Sequence, residues 1–140
     1  MKLPADEEGA KARLGSSPRH SEWVKVNAVS QPGLSAAVVY YGTAPNAPGG
    51  AQGSFTPADT LAQIKAPVLG LYGGADARIG ATIPAMDAKM KALGKPYEPH
   101  TFENAGHGFL RAQTGQNGAN MKASEQAWPM TIAFLKKHTS

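Results

Sequence analysis

The chain divides into short apolar runs separated by stretches rich in glycine and proline. "LSAAVVYYG" (34–42) is apolar, β-branched and aromatic and ends in glycine, the pattern of a strand buried on both faces. "APVLGLYGG" (66–74) repeats that pattern. "PYEPHTFENAG" (96–106) alternates with more polar residues and predicts a strand nearer an edge. "EWVKVNAV" (22–29) alternates over a shorter span, compatible with a short strand or a helical turn.

Helical periodicity fills the intervals. "TPADTLAQI" (56–64) opens with Thr56 as a cap, Pro57 at the first helical position and Asp59 three residues after the cap. "TIPAMDAKMKALG" (82–94) puts Ile83, Met86, Met90 and Leu93 on one face, with Gly94 as its stop. In "KASEQAWPMTIAFLKKH" (122–138), Trp128, Ile132 and Leu135 are spaced for one buried stripe. Pro129 is expected to kink that helix or to mark where its regular part begins. Lys136, Lys137 and His138 suit a helix C-terminus. "GTAPNAPGGAQGSF" (42–55) is a Gly/Pro-rich loop. The order strand, helix, strand, helix, strand, helix implies an α/β layer structure with mostly parallel strands.

Composition narrows the class without naming a function. At 140 residues, 41% hydrophobic and 17% charged, the chain is most simply one soluble globular domain. The net charge of +4 comes from scattered bases, with no Arg/Lys stripe interleaved with aromatics, so nucleic acid is not an expected partner. No run approaches the ~20 apolar residues that cross a bilayer, and the opening "MKLPADEEGAKARLG" lacks the apolar centre of a secretory signal. The absence of cysteine excludes a disulfide, a thiolate nucleophile and a Cys-based metal site, and is compatible with a cytoplasmic location. His20, His100 and His138 have no ligand-like spacing and are read as structural or solvent-facing, so no metal is expected.

Chemistry concentrates where two strands end. In open α/β sheets, sites form at the carboxyl ends of strands. The second strand ends in "YGGADARIG", which puts Asp76 in a glycine-rich loop; the third ends in "NAGHGF", which puts His107 in another. Adjacent parallel strands would set these loops side by side, although 31 positions separate the two residues. A carboxylate beside a histidine orients the imidazole and stabilises its charged form. The bland readings are a loop histidine bonded to backbone and an aspartate that caps the turn before the helix at 82. Tyr40 and Tyr41 are expected to pack the core, with one hydroxyl within reach of the cleft.

"SAAVVYYG", "APVLGLYGGADARI", "PYEPHTFENAGHGFLR" and "AWPMTIAFLKKH", in that order, resemble the C-terminal half of the dienelactone hydrolase family, from about Val26 to His138. The resemblance implies a truncated α/β-hydrolase-like three-layer sandwich, a short, mostly parallel sheet flanked by helices. It places residues 26–140 in that domain and leaves 1–25 as an irregular or rearranged segment. It makes Asp76 the triad acid, His107 the triad base and Arg111 a holder of the substrate carboxylate, a task that suits a guanidinium fork. No cofactor is implied.

The family's nucleophile sits on a tight strand-to-helix elbow ahead of the strand matching 34–42. With no cysteine, only a serine could serve, and "ARLGSSPRH" offers Ser17 in a G-x-S-x-R setting, one glycine short. Three features speak against it. "DEEGAKARL" is not an apolar strand, Arg19 stands where a small residue is needed, and Pro18 has no N–H for the oxyanion hole. Losing one such donor costs roughly 100- to 1,000-fold in rate. The expectation is an ester or lactone hydrolase ancestry that keeps the acid–histidine pair and has lost its nucleophile. The competing expectation is a non-catalytic binding or assembly protein. In either case the first strand of the retained half has an unpaired edge, covered either by "EWVKVNAV" (22–29) or by a second copy, and a homodimer or higher oligomer is expected.

Overall fold

A computed structural model describes residues 33–42 and 58–139. The elements run β1 (Ala37–Tyr40), a 3₁₀ helix (Ala58–Gln63), β2 (Val68–Gly73), α1 (Ala77–Gly80), α2 (Ile83–Ala92), β3 (Tyr97–Phe102), a 3₁₀ turn (Gln116–Gly118) and α3 (Ala119–Thr139). The strand expected at 22–29, most of the loop at 42–55, the cap at Thr56 and Pro57, and Ser17 and His20 lie outside the described residues.

The three strands form a parallel sheet in the order β1-β2-β3. Ala37 pairs with Val68, and Val68 in turn with Tyr97, so the three strands start level; β2 and β3 also end level, at Gly73 and Phe102, while β1 stops two residues earlier, opposite Leu71. Every residue of β2 is buried, as a central parallel strand requires. Gly70 has a specific use there. A Cβ at that position would lie 2.5 Å from the Tyr72 hydroxyl. Without it, the Tyr72 ring fits beneath the sheet and its hydroxyl shares a hydrogen bond of 2.7 Å with that of Tyr97. β3 carries exposed Glu98, His100 and Thr101, and Pro99, which suits an edge strand.

Alternation along the strands separates two cores. On one face Leu69, Leu71 and Phe102 meet Phe109 and, from α3, Ala123, Ala127 and Phe134. On the other, Ala37, Val39 and Val68 meet Leu61, Ile64 and Met90. Burying each large side chain contributes about 1.5–3 kcal/mol. α2 presents Met86 and Met90, with Leu93 at its C-cap, to the second core, while Ile83, expected on the same face, is not among the residues packed there. It ends at Gly94, whose φ of +65° lets Lys95 N–H donate to Met90 O at 2.8 Å.

Three expectations need correction. The segment at 58–63 is a 3₁₀ helix, the form that short helical pieces commonly take. In α3 the buried stripe is Ala123, Ala127, Thr131 and Phe134, whereas Trp128 is 55% and Ile132 is 36% exposed. The two stripes have equally good spacing and differ by about 100° around the axis. Size decides between them, because Ala123 and Ala127 let the helix lie close to the sheet and Trp128 would hold it away. Nor does α3 begin at Pro129; it runs through that residue for 21 residues.

Phe134→Ala is therefore expected to cost about 3–5 kcal/mol, and Trp128→Ser no more than about 0.5 kcal/mol. Urea unfolding with unchanged m-values measures both. Equal losses would mean that the inward stripe is the one containing Trp128.

Candidate active site

The level ends of β2 and β3 put two glycine-rich loops in contact. Gly74 N–H donates to Phe102 O at 2.8 Å and Ala75 N–H to Ala105 O at 2.9 Å, extending the parallel ladder past both strands. Gly73 permits this approach. A Cβ there would stand 2.2 Å from Gly106 O and 2.5 Å from Ala105 O, both backbone atoms that cannot rotate away.

Asp76 leaves the first loop as the N-cap of α1, with Oδ1 accepting from Ile79 N–H at 3.3 Å. Its other oxygen, Oδ2, lies 2.6 Å from His107 Nδ1. The capping role and the histidine contact thus coexist, one oxygen serving each. The Asp76 side chain is 11% exposed and that of His107 50%. A carboxylate that only accepts fixes the proton on Nδ1 and leaves Nε2 as an acceptor.

The second loop is held from below. Phe109, fully buried, packs edge-on against Phe102 and Tyr41 at ring separations of 5.3 and 5.1 Å. In "GHGF" the phenylalanine anchors the loop in the core while the histidine two positions earlier remains half exposed. Backbone bonds from Arg111 and Ala112 N–H to Gly108 O close a helical turn after His107 and put exposed Arg111 on it. The Arg111 guanidinium lies beside Gly108, where an added Cβ would be 3.7 Å from Nη2.

Sequence reasoning missed Asn120. Buried in the first turn of α3, it accepts from Gly106 N–H at 2.8 Å and donates to Ala112 O at 2.7 Å, bracketing the histidine loop at both ends. Ser124, one turn on, shares its hydroxyl proton between Asn120 O at 2.8 Å and Phe109 O at 3.2 Å. A polar residue near a helix start reads as a cap, and nothing in its spacing from His107 marks this role. Tyr41 is also closer to the site than core packing implies, its ring 5.5 Å from the imidazole. Burial pushes its phenol up to about 12.

The other described histidines stand apart from this pair. His100 is exposed on β3, and His138 lies against the Phe134 ring at 4.6 Å. Among the described residues no group of three or more His, Cys, Asp or Glu is placed to hold a metal ion. A groove of about 540 Å³ between the end of β3 and the start of α3 is lined by residues such as Glu103, Asn104, Asn117 and Lys122, and includes neither Asp76 nor His107.

The model of the dienelactone hydrolase family matches residues 22–139. A protein of Methylorubrum extorquens assigned as a carboxymethylenebutenolidase is 38% identical over 99 residues, 65% of this chain and 34% of that protein. One from Saccharolobus solfataricus, assigned likewise, is 29% identical over 104 residues, covering 74% and 36%. The carboxymethylenebutenolidase of Rhodococcus opacus is 27% identical over 99 residues, covering 71% and 39%. The match thus spans about a third of the length of these relatives. A crystal structure of a protein assigned as a dienelactone hydrolase from Klebsiella pneumoniae superposes with a TM-score of 0.70 at 24% identity, over 91% of this chain and 56% of that one.

Gly73→Ala is expected to destabilise the protein by about 1–3 kcal/mol, since the clash is with backbone. Gly80→Ala, where nothing lies within 4 Å of the added carbon, serves as the control. Thermal unfolding of the two variants checks this; equal Tm values would mean that the loops do not meet at Gly73.

Proposed function

Because the chain belongs to the dienelactone hydrolase family, we propose that Asp76 and His107 are the acid and base of a carboxylic-ester or lactone hydrolase site. The observation that supports this most is the 2.6 Å contact between Asp76 Oδ2 and His107 Nδ1, with the imidazole half exposed. In this reading Nε2 takes the proton of an attacking hydroxyl as its oxygen bonds to the ester carbonyl carbon. Nε2 then returns that proton to the leaving alkoxide as the C–O bond breaks; a water next gives its proton to Nε2 as its oxygen bonds to the acyl carbon, and the acyl–serine bond breaks with that proton returned to the serine oxygen, releasing the acid. Asp76 holds the imidazole and stabilises its charged form throughout. Arg111, one turn beyond the histidine, is suited to hold a substrate carboxylate by its guanidinium fork.

The attacking hydroxyl belongs to a serine in this proposal, since the chain has no cysteine. Ser17 is the candidate the sequence offers, and the proline after it counts against high activity. No cofactor enters the scheme. Among the described residues no helix is long and apolar enough to cross a membrane, and a cytoplasmic location fits the reading.

A second reading starts from β1, which among the described residues pairs only with β2. An open edge recruits a further strand. In this reading the chain assembles as a homodimer or higher oligomer through that edge and binds without catalysis. A monodisperse monomer by light scattering at high micromolar concentration would exclude it.

Hydrolysis of a small activated ester by the purified full chain separates a site with a working serine from one whose nucleophile has been lost. His107→Ala or Asp76→Asn should reduce it roughly 10³- to 10⁴-fold, to background if the starting rate is low. Ser17→Ala then tests the nucleophile. Equal rates for wild type and His107→Ala would remove the hydrolase reading for simple esters.

A further inference from the structure

At the end of β1, Tyr41 adopts a φ of +56°, the left-handed region in which a bulky residue is an outlier. Gly42, the next residue, could have made the turn without strain. Such strain persists only where the surroundings impose it, and it clusters at functional sites. Here it turns the Tyr41 ring toward the histidine loop while the backbone stays in the sheet, its N–H donating to Leu71 O at 2.9 Å.

The ring meets that loop in three ways. It lies 5.5 Å from the His107 imidazole, with the planes inclined at 54°. It stands edge-on to Phe109 at 5.1 Å. Its phenolic oxygen accepts a hydrogen bond of 3.1 Å from Leu110 N–H, across 69 positions of sequence. Asp76 reaches the imidazole through a single atom, Nδ1. That bond restrains the two side-chain torsions of His107 from one atom, and a ring packed beside the imidazole restrains them further.

We propose that Tyr41 is the positioning residue of this site: its ring is the wall against which the His107 imidazole is set, and its phenolic oxygen ties the histidine loop to the end of β1. The proposal deepens the acid–histidine reading above and rests on it. The neighbouring tyrosine shows the contrast. Tyr40 points to α3, its hydroxyl 2.6 Å from Thr131 Oγ1, and it stabilises packing without touching the histidine. Tyr41 is half-buried and burial pushes its phenol up to about 12, so the tie is unchanged while an imidazole gains or loses charge.

Scalar couplings across the His107 Cα–Cβ bond, measured by NMR on the folded full chain, report its side-chain rotamers. Wild type is expected to hold one rotamer and to show contacts between the Tyr41 and His107 ring protons. Tyr41→Phe, which keeps the ring and loses the acceptor for Leu110, should lower the ratio of major to minor rotamer about threefold or more. Tyr41→Leu, which also loses the wall, should lower it further. Tyr40→Phe should leave the ratio unchanged even where it lowers Tm, which separates positioning from stability. A single His107 rotamer in folded Tyr41→Phe and Tyr41→Leu overturns the proposal, as does the absence of ring–ring contacts in wild type, a result that needs no variant to fold. Asp76→Asn separates the two failures. If it frees the imidazole and the Tyr41 variants do not, only the role of Tyr41 fails; if it also leaves the imidazole unmoved, the acid–histidine pair fails with it.

Discussion

The site depends on the level, parallel pairing of β2 and β3. Gly73 pairs with Phe102 as the last rung, and two further backbone bonds carry the ladder into the loops. That extension is what brings an aspartate and a histidine 31 residues apart to 2.6 Å. It is possible only because position 73 has no side chain. Asp76 and His107 are thus placed by backbone geometry, and the side-chain contacts refine a position already set.

A half-exposed histidine on a loop would ordinarily be mobile. Here the loop has restraints from several elements. Phe109 is buried beneath it, Asn120 and Ser124 hold it from α3, and Tyr41 holds it from β1. All of the holders belong to the same face of the sheet as α3. The face with α2 and the 3₁₀ helix contributes the second core and no residue of the site. The sheet therefore divides labour: one side builds stability, and one side builds the histidine loop's support as well.

Much of this was legible in the sequence, for stated reasons. Parallel strands buried on both faces are continuous apolar runs, and β1 and β2 are such runs; glycines then mark their ends. Asp76 and His107 stood out because each follows a strand inside a glycine-rich loop, and topology makes such loops neighbours. The resemblance of four segments in order to the dienelactone hydrolase family was also legible, and the family model matches residues 22–139. What was not legible depends on three-dimensional choice. Periodicity gave two equivalent stripes on α3, and only the bulk of Trp128 against the small Ala123 and Ala127 decides which turns inward. Asn120 acts across the loop from a helix start, at a spacing that carries no motif. The orientation of Tyr41 follows from a backbone torsion that no pattern of apolar residues encodes.

The most direct test of the central claim is the position of the proton on the His107 imidazole, read from a long-range proton–nitrogen NMR correlation of the neutral side chain. With Asp76 Oδ2 as the partner of Nδ1, a single tautomer is expected, with the proton on Nδ1 and Nε2 bare, ready to accept a proton. A spectrum with the proton mainly on Nε2, or one with both tautomers freely mixed, would contradict it. Asp76 and His107 would then be neighbours at two strand ends, and not an acid–base pair.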